Sequence, residues 1–257
     1  MSIKLLYATG DSWTYGEELG DVTAVDNLNH KFYNSWPWHV SQHYNIPQLI
    51  NDARGGGSNA RAYRRAIEFI QSYKGKLSEL AIVIAWSTYE RTEFSLPAIE
   101  KYHDGEKFVE WTERQFFHWH HSTDPAVMDF SGFLNPEQNA TLSLLHKSWA
   151  LLRDPSGDAL ALKNLMWSLQ EICKTNKIKL HQFFALVNPE FEEGFKEFKP
   201  KWAKQIKYYQ PAFASKKFGA GGSVTGFISK RFVGSHPNEQ GHKEISNFVI
   251  DKIGDKI

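Results

Sequence analysis

Four short segments hold residues able to carry acyl-transfer chemistry. Gly10-Asp11-Ser12-Trp13 ends the first apolar run, and Gly55-Gly56-Gly57-Ser58-Asn59 follows the second. Ser87 closes the third, and His236 stands just before the last helical pattern. A hydroxyl attacks an ester carbonyl only when a neighbouring base takes its proton, and imidazole titrates in the right range. The oxyanion that forms must then meet preorganised N–H donors. Backbone N–H groups at Ser12 and Gly56 suit that task, since glycine lets a carbonyl carbon come close. Read locally, Ser12 has two roles open to it: nucleophile, or cap of the helix that follows, Ser and Asp being common N-caps.

The elements that must position these residues read as an open α/β sheet. Ile3 to Ala8 and Gln48 to Asn51 predict short strands, and Leu80 to Trp86 is an apolar run suited to a central parallel strand. Between the last two, Ser58 or Asn59 caps a helix reaching about Tyr73, with Tyr63, Ala66, Ile67 and Ile70 on its apolar stripe. Arg61, Arg64 and Arg65 crowd its first turns, where the dipole disfavours cations; a nearby anion or plain solvation accounts for them. Residues 14–36 read as a long loop with an acidic stretch, Glu17, Glu18, Asp21 and Asp26, and a helix is expected from Trp36 to Tyr44. Alternation around His103-Asp104-Gly105 predicts a β-hairpin over 97–113. Helices are expected over 139–152 and from an Asp158 cap to Thr175, then a strand from Ile178 to Leu186, and a final helix carrying His242, Ile245, Phe248, Val249 and Ile253. Strand ends of a parallel sheet share one edge, so Ser12, Gly56 and Ser87 can converge there.

Composition narrows the class. The 257 residues suffice for one domain with insertions, about 95–135 and, as a lid, about 190–231. Basic and acidic residues number 30 and 29, which argues against a dedicated double-stranded nucleic-acid binder. The lone Cys173 cannot form an internal disulfide and reads as a buried small hydrophobe. No signal peptide or membrane span is recognised, so a cytoplasmic or virion-associated protein without membrane contact is expected. His118, His120 and His121 lack a carboxylate or Cys set at zinc spacing, so no metal and no cofactor is expected. Residues 194–231 carry nine Lys or Arg against one Glu, interleaved with aromatics. That pattern suits a lid, or a wall that stacks on rings and draws in negative charge.

Taken together, the blocks resemble the SGNH or GDSL hydrolases. Gly10-Asp11-Ser12 matches the first block of that family, Gly56 the second, and His236-Pro237-Asn238 to Gly241-His242 the last. Gly56 to Arg61, with Trp86-Ser87, Glu90-Arg91 and Glu93-Phe94, looks similar to phage-encoded members. The resemblance implies a three-layer α/β/α sandwich, flavodoxin-like, with a parallel sheet of about five strands. It implies a serine esterase with Ser12 as nucleophile and His236 as base, and an oxyanion site at Gly56 assisted by Ser87 or Asn59. Arg54, Arg91 and Trp13 are the candidate substrate contacts, and the expected substrate is a small-molecule or carbohydrate ester, most plausibly an O-acetyl group. Two blocks depart from the family pattern: Ala85 and Ser87 replace its Gly and Asn, and Val233 stands where its Asp precedes the histidine. A Ser-His dyad follows, with His236 oriented by a backbone carbonyl or a distant acid. The alternative reading is a weakly active or non-catalytic relative that binds glycan or builds a particle.

Overall fold

In the computed structural model, residues 2–17, 19, 32–55, 57–87, 91–96, 115–120, 140, 144, 148, 154–185, 205–207, 232–233 and 236–257 are described. Four strands among them form one parallel sheet: β1 (Leu5–Thr9), β2 (Gln48–Asn51), β3 (Leu80–Trp86) and the strand Lys179–Phe184, which becomes β6 in chain order. The spatial order is β2-β1-β3-β6, with Leu5 beside Gln48 and Leu80, and Ala81 beside Lys179. β1 and β3 are buried along their whole length, as strands covered on both faces must be.

Successive side chains alternate between two cores. Leu5, Tyr7, Leu80, Ile82, Ile84 and Trp86 face one side, where Ala62, Ala66 and Ile70 of the helix Asn59–Ser72 and Leu162, Met166 and Leu169 of the helix Pro155–Thr175 cover them. Leu6, Ala8, Ala81, Val83 and Ala85 face the other, under Trp36 and Val40 of the helix Trp36–His43 and Ile245, Val249 and Ile253 of the helix Glu239–Ile253. This is the expected α/β/α sandwich. With the short helix Ser12–Tyr15 as α1, these helices are α2 (36–43), α3 (59–72), α4 (155–175) and α5 (239–253).

Several expected boundaries move. Asp154, not Asp158, caps α4: its carboxylate accepts from the Ser156 and Gly157 amides at 3.0 Å each, and Pro155 fills the first helical position, where no N–H is required. The expected hairpin span 97–113 lies outside the described residues, but an antiparallel pair flanks it. β4 (Arg91–Leu96) pairs antiparallel with β5 (Gln115–His120), Arg91 lying opposite His120. Most of 139–152 and most of the expected lid also lie outside the described residues. Of that lid, residues 205–207 are fixed. Gln170 of α4 donates to the Gln205 carbonyl at 2.9 Å and accepts from the Lys207 amide at 2.6 Å, while Ile206 is buried. Cys173 is buried as expected, and burial pushes its thiol up to about 12. Among the described residues no helix is long and apolar enough to cross a membrane.

Candidate active site

Three strand ends of the sheet meet, and the residues there are tied by side chains rather than by adjacency alone. β1 ends at Thr9, and Gly10 passes so close to β3 that an added Cβ would lie 2.8 Å from the Ala85 carbonyl oxygen. Asp11 is the N-cap of α1; its Oδ1 accepts from the Trp13 amide at 3.1 Å. Ser12 is therefore the first helical residue, not the cap, because the aspartate one step earlier fills that role. The local alternative to the nucleophile reading thus belongs to Asp11.

The second turn packs against the first. The Arg54 amide donates to the Gly10 carbonyl at 3.4 Å, and the Gly57 amide to the Arg54 carbonyl at 3.0 Å. A Cβ at Gly57 would lie 2.9 Å from both the Gly10 and Arg54 carbonyl oxygens, so only glycine fits between these backbones. Asn51, at the end of β2, donates through Nδ2 to the Thr14 carbonyl at 2.8 Å. Ser58 caps α3 by accepting from the Arg61 amide at 3.1 Å.

The third end is held by a two-bond clip. The Ser87 amide donates to Asn59 Oδ1 at 2.7 Å, and Asn59 Nδ2 donates to the Ser87 carbonyl at 3.0 Å. The Ser87 hydroxyl donates to Asp11 Oδ2 at 2.8 Å. A hydroxyl carries one proton, and here it goes to Asp11. Ser87 thus braces the first turn through its hydroxyl, a different use from the oxyanion donation expected of it. Asp11, Asn59 and Ser87 are all buried, which strengthens each of these bonds.

The last segment arrives from the C-terminal side. β7 (Phe232–Val233) pairs antiparallel with β8 (His236–Pro237), so Val233 sits directly opposite His236. Asn238 then caps α5 through the Gly241 amide at 3.0 Å. β8 lies against α1, which brings the histidine strand to the helix that Ser12 opens. His236 Nε2 stands 4.0 Å from Glu17 Oε2.

His242 is a different kind of histidine. It is fully buried, and its Nδ1 accepts from the Trp36 amide at 3.1 Å. Its Nε2 is buried with no hydrogen-bond partner among the described residues. Burial first, then the charges of His39 and His236, pushes the imidazole down to about 3. Such a ring is neutral at working pH and anchors the entry to α2. A proton acceptor that weak is poorly matched to general-base work.

The other expected contacts separate. Arg54 is exposed beside the first two turns. Arg91 opens β4, outside the sheet. Trp13 is 4% exposed and belongs to the core under α2 and α5. It is a packing residue rather than an open stacking face, because the Asp11 cap turns the second residue of α1 inward. Gly56 lies outside the described residues.

The arginines of α3 find an anion within the chain. Arg61 Nη1 donates to the Asp52 carbonyl at 2.9 Å and its Nη2 lies 3.4 Å from Asp52 Oδ1. Arg65 Nε donates to Asp52 Oδ2 at 2.8 Å, as does the Tyr7 hydroxyl at 2.7 Å. Burial and the Asp52 charge hold the Tyr7 phenol protonated well above its usual range. Arg64 pairs with Glu68 at 2.9 Å. Sequence reasoning missed Asp52 as the partner. The available signal was an acid just past β2, followed by arginines four residues apart on one helix face.

No protein-family model and no curated protein matches the sequence. Among solved structures, the chain is similar to TesA at a TM-score of 0.52, with 10% identity over 98% of this chain and 99% of that one. It is also similar to a member of the lipolytic G-D-S-L family from Veillonella parvula (TM-score 0.49, 12% identity, 98% and 99% covered). A psychrotrophic esterase, EstA of Pseudoalteromonas sp., scores 0.48 at 10% identity, with 97% and 96% covered. The likeness to TesA shows a shared fold.

Proposed function

We propose that this chain is a serine ester hydrolase of the SGNH type, acting on O-acetyl or similar small acyl esters carried by a carbohydrate. The observation that carries this reading is the meeting of α1, opened by Ser12, with β8, which carries His236, at the edge where the Gly57 turn closes on Gly10. Ser12 Oγ attacks the ester carbonyl as His236 takes its proton. The tetrahedral oxyanion is met by the Ser12 and Gly56 backbone N–H groups, with Asn59 as the side-chain donor of the set. Collapse expels the alcohol, which receives the proton back from His236. Water activated by the same imidazole then releases the acid from the acyl-serine. The carbohydrate part of the assignment is supported by the aromatic-rich sequence, with 9 Trp and 18 Phe, and by the basic, ring-bearing segment 194–231.

A second reading is favoured by one observation. The Ser87 hydroxyl proton goes to Asp11, which removes a side-chain donor from the oxyanion set. Loss of one such donor lowers rates by about 10²–10³-fold. On that reading the chain is a glycan-binding or structural particle component. Hydrolysis of 4-nitrophenyl acetate by wild type and Ser12→Ala separates the two. The hydrolase reading expects activity that falls by about 10³-fold or more in Ser12→Ala. Equal rates in the two proteins overturn it.

A further inference from the structure

The position where an acid would precede the histidine holds Val233, and no Asp or Glu lies between Arg231 and Asn238. A carboxylate nevertheless reaches the imidazole from the other end of the site. We propose that Glu17 is the positioning residue of His236, stabilising the imidazolium that forms when His236 takes the Ser12 proton. The proposal rests on the hydrolase reading and deepens it.

Its geometry is built into the turn after the nucleophile. α1 is a single turn, and Gly16 ends it in the left-handed region at φ +83°. Only glycine adopts that conformation readily. The reversal lets both the Gly16 and Glu17 amides donate to the carbonyl of Ser12, at 3.0 and 3.1 Å. Glu17 is thus fixed to the backbone of the nucleophile itself. Its carboxylate lies over Gly55, so close that a Cβ there would collide with it, and its Oε2 stands 4.0 Å from His236 Nε2. Catalytic contacts in unliganded sites are often this loose and tighten in the reacting complex.

The electrostatics favour the pairing. His242 on α5 also interacts with His236, and burial keeps it neutral at working pH. Across the β7–β8 ladder His236 faces Val233, which carries no charge. His39 acts on His242, and Lys243 and Glu239 act on His39. The Glu17 carboxylate lies within ion-pair distance of the imidazole. Its side chain is 40% exposed, so water screens the pair and the effect falls short of a buried orienting aspartate.

The test compares wild type, Glu17→Gln and Glu17→Asp by kcat and KM on 4-nitrophenyl acetate. Glu17→Gln is expected to lower kcat about 10- to 100-fold with little change in KM, short of the roughly 10⁴-fold known for a buried triad acid. Glu17→Asp keeps the charge and should recover part of the rate. The fold is not at stake, because the backbone bonds to Ser12 do not use the side chain; thermal unfolding checks this. An unchanged kcat in Glu17→Gln, alongside Ser12-dependent activity, overturns the proposal and leaves the hydrolase reading standing. A wild type without Ser12-dependent activity overturns the hydrolase reading instead, and the catalytic role with it. If Glu17→Gln only improves turnover of anionic esters and leaves kcat on the neutral ester in place, Glu17 selects substrate charge and the positioning role is wrong.

Discussion

Acidification should loosen the α2–α5 face through one residue, His242. Its ring is fully buried, with Nδ1 occupied by the Trp36 amide at 3.1 Å and the imidazole held down to about 3 from an ordinary 6.5. A second proton on this ring would displace the Trp36 N–H and place a charge where burial gives it no water. The folded state therefore binds that proton more weakly than the unfolded chain. Stability from this group is complete above about 6.5 and declines as pH falls toward about 3. Between pH 7 and pH 5 the decline is about 2 kcal/mol, since 1.5 units separate pH 5 from the unfolded value and each unit is about 1.4 kcal/mol. The assay is urea unfolding at both pH values for wild type and His242→Asn, whose side-chain oxygen can still accept from Trp36. The variant is less stable at pH 7 because the ring leaves a cavity. Its loss between pH 7 and 5 should nevertheless be smaller than that of wild type by about 2 kcal/mol. Equal losses refute the reasoning, and would mean that the ring is hydrated or can protonate in place.

Three further substitutions test how the strand ends are held. Gly57→Ala forces a methyl against the Gly10 and Arg54 carbonyls, so a backbone must move; stability should fall by about 1–3 kcal/mol, and Ser12-dependent hydrolysis should fall with it, both read on the same purified protein. Asp52→Asn weakens the bonds from Arg61, Arg65 and Tyr7 and should lower unfolding stability by about 1.5–3 kcal/mol, whereas Tyr7→Phe removes one bond and should lower it by less.

The sheet was legible because burial leaves a local signature. β3 begins and ends where its apolar run does, since a strand covered on both faces reads as a continuous hydrophobic stretch. α3 follows from its stripe and from Ser58 at its start. Edges were less legible. The hairpin strands lie at 91–96 and 115–120, outside the span that alternation marked, because a turn-like His-Asp-Gly fixes neither strand length nor register. The expected Asp158 cap gave way to Asp154, and Pro155 beside it is the sequence signal that marks this start.

The candidate site shows a sharper divide between residue type and residue partner. Gly10, Ser12, Asn59 and His236 could be picked out because turns after strands need small or capping residues, and because imidazole and hydroxyl carry the chemistry. What those side chains bond to could not be, since the partners lie 28 and 76 residues away from Ser87 and 45 from Tyr7. Ser87 looked like a shortened oxyanion donor until Asp11 proved to hold its proton, and Glu17 looked like one acid in a loop until Gly16 turned it back toward His236. Both surprises have one cause. A compact first turn, with the cap at 11, the helical residue at 12 and the left-handed glycine at 16, folds three functional positions onto each other. The acid then has no need to arrive on the histidine strand. On the proposed mechanism the valine at 233 is tolerated because the charge has moved to the turn that carries Ser12. Val233→Asp in the Glu17→Gln background should therefore restore part of the lost turnover, and a double variant no faster than Glu17→Gln alone would show that a charge beside His236 was not what the site had lost.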